Sequence, residues 1–221
     1  CAAVCPADSL LMSAKPYTVP AIMDILLRDR LYFDRSRGGV TLSGGEPLAQ
    51  DMEDVEVLMQ AIKREGLNLS IDTCGAVPKS NLETALKYAD SFLYDLKHLD
   101  PVKHESFTGL DNKQILDNLI WLAGQDTALH MRIPVIPGFN SDEDELGAMA
   151  DWVAKNTDPE TIALLPYHRL GSAKYDHLGL EEQKRIFQVP SGACMDKALK
   201  TFLDRGLKQT SIGGAILVAE T

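Results

Sequence analysis

The sequence predicts an α/β fold with a mainly parallel sheet. Short apolar runs alternate with stretches of helical periodicity from residue 18 onward. Runs such as IALL (162–165) are continuous enough for strands that are covered on both faces. Strand–helix alternation at this spacing forms right-handed βαβ units, which build either an open doubly wound sheet or a barrel.

The first half of the chain contains three predicted helices and three predicted strands. Thr18 is a suitable N-cap for the first helix, whose apolar residues recur at three- and four-residue intervals. Gly66 suits the C′ position that ends the second helix. The elements are, in chain order, helix 18–29, strand 40–43, helix 52–66, strand 67–73, helix 81–89 and strand 91–97.

The second half of the chain repeats this pattern. Gly124 ends a stretch of helical periodicity, and Ser141 with Asp144 has the spacing of a helix-capping pair. The order is helix 112–124, strand 130–136, helix 141–154, strand 161–167, helix 194–206 and a short strand 208–212.

The composition of the chain disfavours several classes of function. The 221 residues carry a formal net charge of −10, which disfavours nucleic-acid phosphate as the main partner. No apolar run reaches the roughly 20 residues of a membrane span, and no signal peptide is visible. Four cysteines in a chain of this length do not indicate a disulfide framework. We therefore expect a reduced, cytoplasmic protein that binds neither nucleic acid nor membrane.

Polar residues lie within or just after the predicted strands. In parallel α/β proteins the carboxyl ends of the strands form one rim, where ligands bind. Each position alone has an ordinary explanation as a helix cap, a turn or an ion pair, the last between Asp95 and Lys97. A Gly-Gly-Glu-Pro stretch together with ionisable groups at later strand ends favours a binding site. The candidates are Ser43, Gly44, Gly45, Glu46, Asp72, Thr73, Asp95, Lys97, Arg132 and His168.

These residue types suit a zwitterionic ligand with a hydroxyl-rich portion. Gly44 and Gly45 expose backbone that a ligand can approach closely. Lys97 and Arg132 are cationic, while the carboxylates can hold an ammonium, a ribose hydroxyl or a metal cation. Neither G-x-x-x-x-G-K-S/T nor G-x-G-x-x-G occurs, which disfavours a nucleotide polyphosphate.

Five segments of the chain carry a family resemblance. They are, in unbroken order, GGVTLSGGEPLAQ (38–50), IDTCG, YDLKHLD, MRIPVIPGFN and LLPYHRLG. Together they resemble the activating enzymes of glycyl radical enzymes, the pyruvate formate-lyase activator type of the radical S-adenosylmethionine (SAM) superfamily. The resemblance extends from Cys1 to about residue 175 and is weaker over 176–221. It implies a partial parallel (β/α) barrel of the radical SAM type.

The resemblance also implies roles for the candidate residues. The stretch 43–46, which contains Gly-Gly-Glu, matches the segment that holds the amino group of SAM. Asp72, Thr73 and Asp95 match residues that help to form a monovalent-cation site beside the SAM carboxylate in pyruvate formate-lyase activators.

The reaction that the resemblance implies needs SAM, an iron–sulfur cluster and a partner protein. A reduced 4Fe–4S cluster cleaves SAM, and the resulting 5′-deoxyadenosyl radical abstracts hydrogen from a glycine of the partner. Lys97, Arg132 and His168 match positions that contact SAM or the incoming glycine loop. The implied partners are a glycyl radical enzyme and a flavodoxin or ferredoxin that donates the electron.

The chain departs from the family at its cysteines. The radical cluster needs Cys-x-x-x-Cys-x-x-Cys before the Gly-Gly-Glu stretch, and no such spacing occurs here. Cys1 and Cys5, followed by Pro6, match the last two cysteines of a ferredoxin-type run. We therefore expect an N-terminally truncated chain, with residues 1–15 the remnant of a ferredoxin-like 4Fe–4S insert and residues 16–221 the barrel core.

A truncated barrel lacks its first strand and its cluster loop, so the strand 40–43 is expected to border an exposed sheet edge. Cys1 and Cys5 would be accessory 4Fe–4S ligands in the parent protein. Cys74 and Cys194 are expected to be buried thiols rather than ligands. The chain alone is expected to be inactive, because the cluster motif is missing.

Two other functions stay open on the sequence. One is another radical SAM maturase or a carbon-scaffold enzyme, although YDLKHLD and LLPYHRLG favour the activator. The other is a non-catalytic SAM- or partner-binding domain, or a degenerate remnant.

Overall fold

The computed structural model describes residues 15–169 and 186–213. Within these residues, six parallel strands form one sheet in the order β1-β2-β3-β4-β5-β6. The strands are β1 (Gly39–Leu42), β2 (Asn68–Thr73), β3 (Ser91–Asp95), β4 (Ala128–Val135), β5 (Thr161–Pro166) and β6 (Thr210–Ile212). The α-helices are α1 (Val19–Leu26), α2 (Arg30–Ser36), α3 (Met52–Arg64), α4 (Lys79–Leu86), α5 (Pro101–Thr108), α6 (Lys113–Ala123), α7 (Glu143–Asn156) and α8 (Gly192–Leu203).

The strand order distinguishes between the two predicted architectures. Each strand pairs with its successor in the chain, so the sheet never reverses direction as a doubly wound sheet does. Right-handed crossovers that all advance in one direction place their helices on the same face, as in a (β/α) barrel. The partial barrel is therefore confirmed. Within the described residues β1 has a neighbour on one side only, so it borders the sheet edge expected for strand 40–43.

Four of the eight α-helices that the structure describes begin at a residue whose side chain caps the helix. The Thr18 hydroxyl caps α1 by accepting the amide proton of Ala21 at 3.4 Å. Gly66 has a φ of 68°, the left-handed conformation that ends α3. The expected capping pair at 141–144 is wrong, because Asp142 is the N-cap of α7 and makes no side-chain cap bond.

The strands alternate between buried and half-buried residues, so the expectation that they are covered on both faces is wrong. In β4, Met131 and Ile133 are fully buried, whereas His130 and Arg132 are half-buried. Successive side chains of a strand point to opposite faces. One face packs under the helices as the core, and the other lines the concave side of the partial barrel. No helix in the described ranges is both long and apolar enough to cross a membrane.

Candidate functional site

The predicted site residues that the structure describes lie at the carboxyl rim of the sheet. They sit on or just after β1, β2, β3, β4 and β5, whose carboxyl ends point in the same direction. The strand register places Asp95 directly opposite Arg132 on the neighbouring strand. The sheet thus brings together residues that are far apart in sequence, as predicted from the strand ends.

Arg132 joins two carboxylates from different strands. Its Nε donates to Asp95 Oδ1 at 2.9 Å, and its Nη2 lies 2.8 Å from the same oxygen. Nη2 also donates to Asp72 Oδ1, while the Ser43 hydroxyl donates to Asp72 Oδ2 at 2.8 Å. Four predicted residues therefore form one hydrogen-bonded group across β1 to β4.

This group is only partly accessible to water. The side chains of Arg132, Asp72 and Asp95 are 24%, 17% and 23% exposed. Burial raises the pKa of the Asp95 carboxyl, and the charges of Arg132 and Lys97 offset part of that rise. Burial alone would lower the pKa of the Arg132 guanidinium, but the two carboxylates outweigh it and leave that pKa raised. The two carboxylates therefore favour the charged form of Arg132.

Glu46 fastens the loop after β1 to the loop after β2. Its Oε1 accepts the hydroxyl proton of Thr73 at 2.8 Å, and its Oε2 accepts the amide proton of Cys74 at 2.8 Å. Oε1 also accepts the amide proton of Leu48 at 3.3 Å. The Glu46 carboxylate therefore holds the two loops together. The sequence did not predict this positioning role.

Gly44 and Gly45 leave the carboxyl rim of the sheet accessible to a ligand. Both have positive φ, 89° and 58°, a conformation that a residue with a side chain rarely adopts. A Cβ built on either glycine would meet no atom within 4 Å. The backbone at this turn is therefore accessible to a ligand, next to the loop that Glu46 fixes.

Contacts define the positions of Lys97 and His168 less directly than those of the other site residues. The Lys97 ammonium is close enough to lower the pKa of both Asp95 and Cys74 by its charge. The alternative of a simple ion pair between Asp95 and Lys97 does not describe the contact of Asp95, which pairs with Arg132 at 2.8 Å. His168 follows β5 on the rim and is exposed to solvent. Cys1 and Cys5 lie outside the described residues.

Three buried asparagines fix the rim loops and were not predicted. They are 0–4% exposed, and each amide donates two hydrogen bonds to backbone carbonyls, at 2.7 to 2.9 Å. Asn118 holds the loop after β2, Asn112 the loop after β3, and Asn140 both the Lys97 carbonyl and the Pro134 carbonyl. The sequence signal that could have identified Asn140 is its position in PGFN, directly after a strand.

Tyr94 supports the loop after β2 from the core side. It is fully buried, and its hydroxyl donates to the Ile115 carbonyl at 2.7 Å. A Cβ on Gly75 would lie 1.6 Å from that hydroxyl oxygen, so only glycine fits there. The loop that presents the Cys74 amide to Glu46 is therefore packed tightly against the core.

The described cysteines do not form a metal site. Cys74 and Cys194 are free thiols, and both are half-buried rather than buried as expected. Burial raises the pKa of the Cys74 thiol, and the nearby Glu46 carboxylate raises it further. In the part of the chain that the structure describes, no three His, Cys, Asp or Glu side chains could hold a metal ion.

The residues present fit SAM better than they fit its cluster. Accessible glycine backbone, two cations and half-buried carboxylates are of the chemical types that could bind the ammonium, carboxylate and hydroxyl groups of a zwitterionic nucleoside. The cysteine spacing that a radical cluster needs is absent from the 221 residues. No cluster chemistry is therefore assigned to side chains of this site.

Comparison with known proteins finds a matching family model and similar activating enzymes. The family model for the Radical SAM superfamily matches residues 5–152. The isethionate sulfite-lyase activating enzyme of Desulfovibrio desulfuricans is 39% identical over 214 residues, which are 96% of this chain and 65% of that protein. The trans-4-hydroxy-L-proline dehydratase activating enzyme of Clostridioides difficile is 36% identical and matches 90% of this chain. The chain covers 66% of that protein, so it spans less than two thirds of either relative.

A solved structure shows the same likeness. It is the crystal structure of a domain of pyruvate-formate lyase-activating enzyme from Bacteroides vulgatus, with a TM-score of 0.67 and 31% identity. The match covers 80% of this chain and 99% of that domain.

Proposed function

Because the chain belongs to the radical SAM superfamily and, within it, to the activating enzymes of glycyl radical enzymes, we propose that it forms the SAM-binding barrel of such an activating enzyme. One observation carries the proposal for this chain. The accessible backbone of Gly44 and Gly45 lies on the same rim as the half-buried group that Asp72, Asp95 and Arg132 form.

The residues of the rim would bind and orient the methionine portion of SAM. Backbone carbonyls near Gly44 and Gly45 are available to its ammonium, while Lys97 and Arg132 offer positive charge to its carboxylate. When bound and reductively cleaved, SAM would supply the radical chemistry that acts on a partner glycine. His168, exposed on the rim, is suited to contact either SAM or the incoming glycine loop.

The remaining parts of the activity are proposals about a larger assembly. The radical cluster requires cysteines with a spacing that these residues do not contain, and we propose Cys1 and Cys5 as ligands of accessory clusters. Residues 1–15 would then belong to a ferredoxin-like unit and residues 16–221 to the barrel. We further propose a flavodoxin or ferredoxin as electron donor, a cytoplasmic location, and no nucleic-acid or membrane partner.

Titration of the chain with SAM by isothermal calorimetry tests the binding function. We expect a Kd of about 1 mM or tighter, and a weakening of about tenfold or more in Asp95→Asn, because a charge facing the ligand is lost. Asp151→Asn is the matched control, since Asp151 pairs with Arg205 away from the rim and should not alter the affinity. The absence of SAM binding, or equal weakening in both variants, would refute the proposal.

A second candidate is a non-catalytic domain that binds SAM or the partner. Such a domain needs only the accessible glycine backbone and the charged rim, which the structure shows. The two functions differ in what SAM does to the partner interaction. A peptide that spans the glycine loop should bind more tightly in the presence of SAM if the barrel presents both to each other, as shown by fluorescence anisotropy. Peptide binding that is independent of SAM would favour the non-catalytic domain.

A further inference from the structure

Three side chains that the family resemblance assigns to a monovalent cation are already engaged with other groups. Asp72 accepts hydrogen bonds from Ser43 and Arg132, and Asp95 accepts from Arg132. The Thr73 hydroxyl donates to Glu46 and accepts the Gly75 amide proton at 2.9 Å. The oxygen atoms of these three side chains therefore already have hydrogen-bond partners in the protein, and they do not surround one common position for a cation.

The strand geometry separates the threonine from the two aspartates. Adjacent residues of a strand point to opposite faces, so Thr73 lies on the core side while Asp72 lies on the concave side. The burial of the two residues agrees, because Thr73 is 2% exposed and Asp72 is half-buried. Only the two carboxylates therefore face a shared space, and that space contains the guanidinium of Arg132.

Arg132 reaches both carboxylates because of its position in the sheet. It lies directly opposite Asp95 on the neighbouring strand, and Asp72 is on the strand beyond. Two inter-strand steps span roughly 10 Å, which the arginine and aspartate side chains bridge together. The planar guanidinium carries one positive charge and donates several N–H groups at once. It can therefore contact several carboxylate oxygens, as a monovalent metal ion does.

The charge of the site is balanced by SAM without a metal ion. Besides the exposed His168, its ionisable groups are three carboxylates and two cations, which leave one net negative charge when all five are ionised. SAM carries one net positive charge, because its sulfonium and ammonium exceed its carboxylate by one. An additional metal cation would leave the half-buried site with an unbalanced positive charge, which is unfavourable at low dielectric. The five groups are Glu46, Asp72, Asp95, Lys97 and Arg132.

We propose that the guanidinium of Arg132 takes the place of the monovalent cation between Asp72 and Asp95, so that SAM binds to this chain without K⁺ or Na⁺. The proposal rests on the proposed SAM-binding function. It differs from what the family resemblance implies for these residues.

Calorimetric titration with SAM in buffers of equal ionic strength, with either K⁺ or tetramethylammonium as the cation, tests the proposal. For the unmodified chain we expect affinities that agree within about twofold. Arg132→Gln should bind about tenfold more tightly in K⁺ than in tetramethylammonium, because two carboxylates are left without a cation. Arg132→Lys keeps the charge and should stay independent of the cation, as should Arg205→Gln, a control away from the rim.

A direct measurement of cation binding keeps the proposal testable even if SAM does not bind. Thallium-205 NMR in nitrate buffer reports Tl⁺, which mimics K⁺. We expect no saturable Tl⁺ binding by the unmodified chain, and saturable binding by Arg132→Gln. Saturable binding by the unmodified chain that Asp72→Asn abolishes would overturn the proposal, as would SAM affinity that falls about tenfold without K⁺. An absence of SAM binding in every buffer would instead refute the proposed function.

Discussion

Replacing Gly75 by alanine tests how tightly the loop after β2 is held against the core. Gly75 has a φ of 73°, and a Cβ there would lie 1.6 Å from the Tyr94 hydroxyl oxygen and 2.2 Å from its Cζ. Tyr94 is fully buried and cannot turn towards solvent. The ring must therefore shift, and its hydrogen bond to the Ile115 carbonyl must break.

The loss of stability has three parts. A left-handed alanine costs about 1–2 kcal/mol. Overpacking against a buried ring costs about 1–3 kcal/mol. Loss of a buried hydrogen bond costs about 1–3 kcal/mol. Gly109→Ala is the matched control for the first part, because Gly109 has a φ of 85° and a Cβ there would meet no atom within 4 Å. The excess for Gly75→Ala is therefore about 2–6 kcal/mol.

Urea unfolding followed by circular dichroism measures this excess. With an m-value of about 2.5 kcal/mol/M, the midpoint of Gly75→Ala should lie about 0.8–2.4 M below that of Gly109→Ala. Adding Tyr94→Phe to Gly75→Ala should restore only part of the stability, since Cζ still lies 2.2 Å from the new Cβ position. If the two glycine variants agree within about 0.5 kcal/mol, the packing argument is refuted.

Two further substitutions test other contacts of the rim. Asn140→Leu removes bonds to the Lys97 and Pro134 carbonyls and to the Ile136 amide, so it should lower the free energy of unfolding by about 2–4 kcal/mol in urea titrations. Equal loss in Asn156→Leu, whose amide makes one bond to Trp152, would contradict this. Because the pKa of the Cys74 thiol is raised, its alkylation, mapped by mass spectrometry, should accelerate at a higher pH than that of glutathione. Glu46→Gln should move this profile to lower pH, because the carboxylate contributes to the rise, and an unchanged profile would refute that cause.

The sequence predicted the strands and the rim because these depend on local patterns. Apolar runs identify the strands, and the carboxyl ends of parallel strands meet at one edge whatever the details of packing. Register then decides which polar residues meet. Asp95 pairs with Arg132 rather than with Lys97 because the sheet places Arg132 directly opposite it, and no local pattern contains that information.

Two helices and the supporting asparagines were missed for different physical reasons. The helices α2 and α5 are short, and α5 has no apolar stripe, so periodicity gives no signal for them. Asparagine is common in surface loops, and its burial at Asn112, Asn118 and Asn140 depends on the helices that pack over them. The positioning role of Glu46 likewise requires the loop after β2 to lie beside it.

The sequential strand order has a consequence for how the protein folds. Among the described strands each pairs with its successor, from Gly39 with Asn68 to Ile162 with Thr210, so none of these pairings skips over another strand. Contacts between near neighbours in sequence carry a small loop-closure cost and favour rapid folding. The sheet can therefore grow by one strand–helix unit at a time as the ribosome releases the chain, with each new strand docking on the edge left by the one before it.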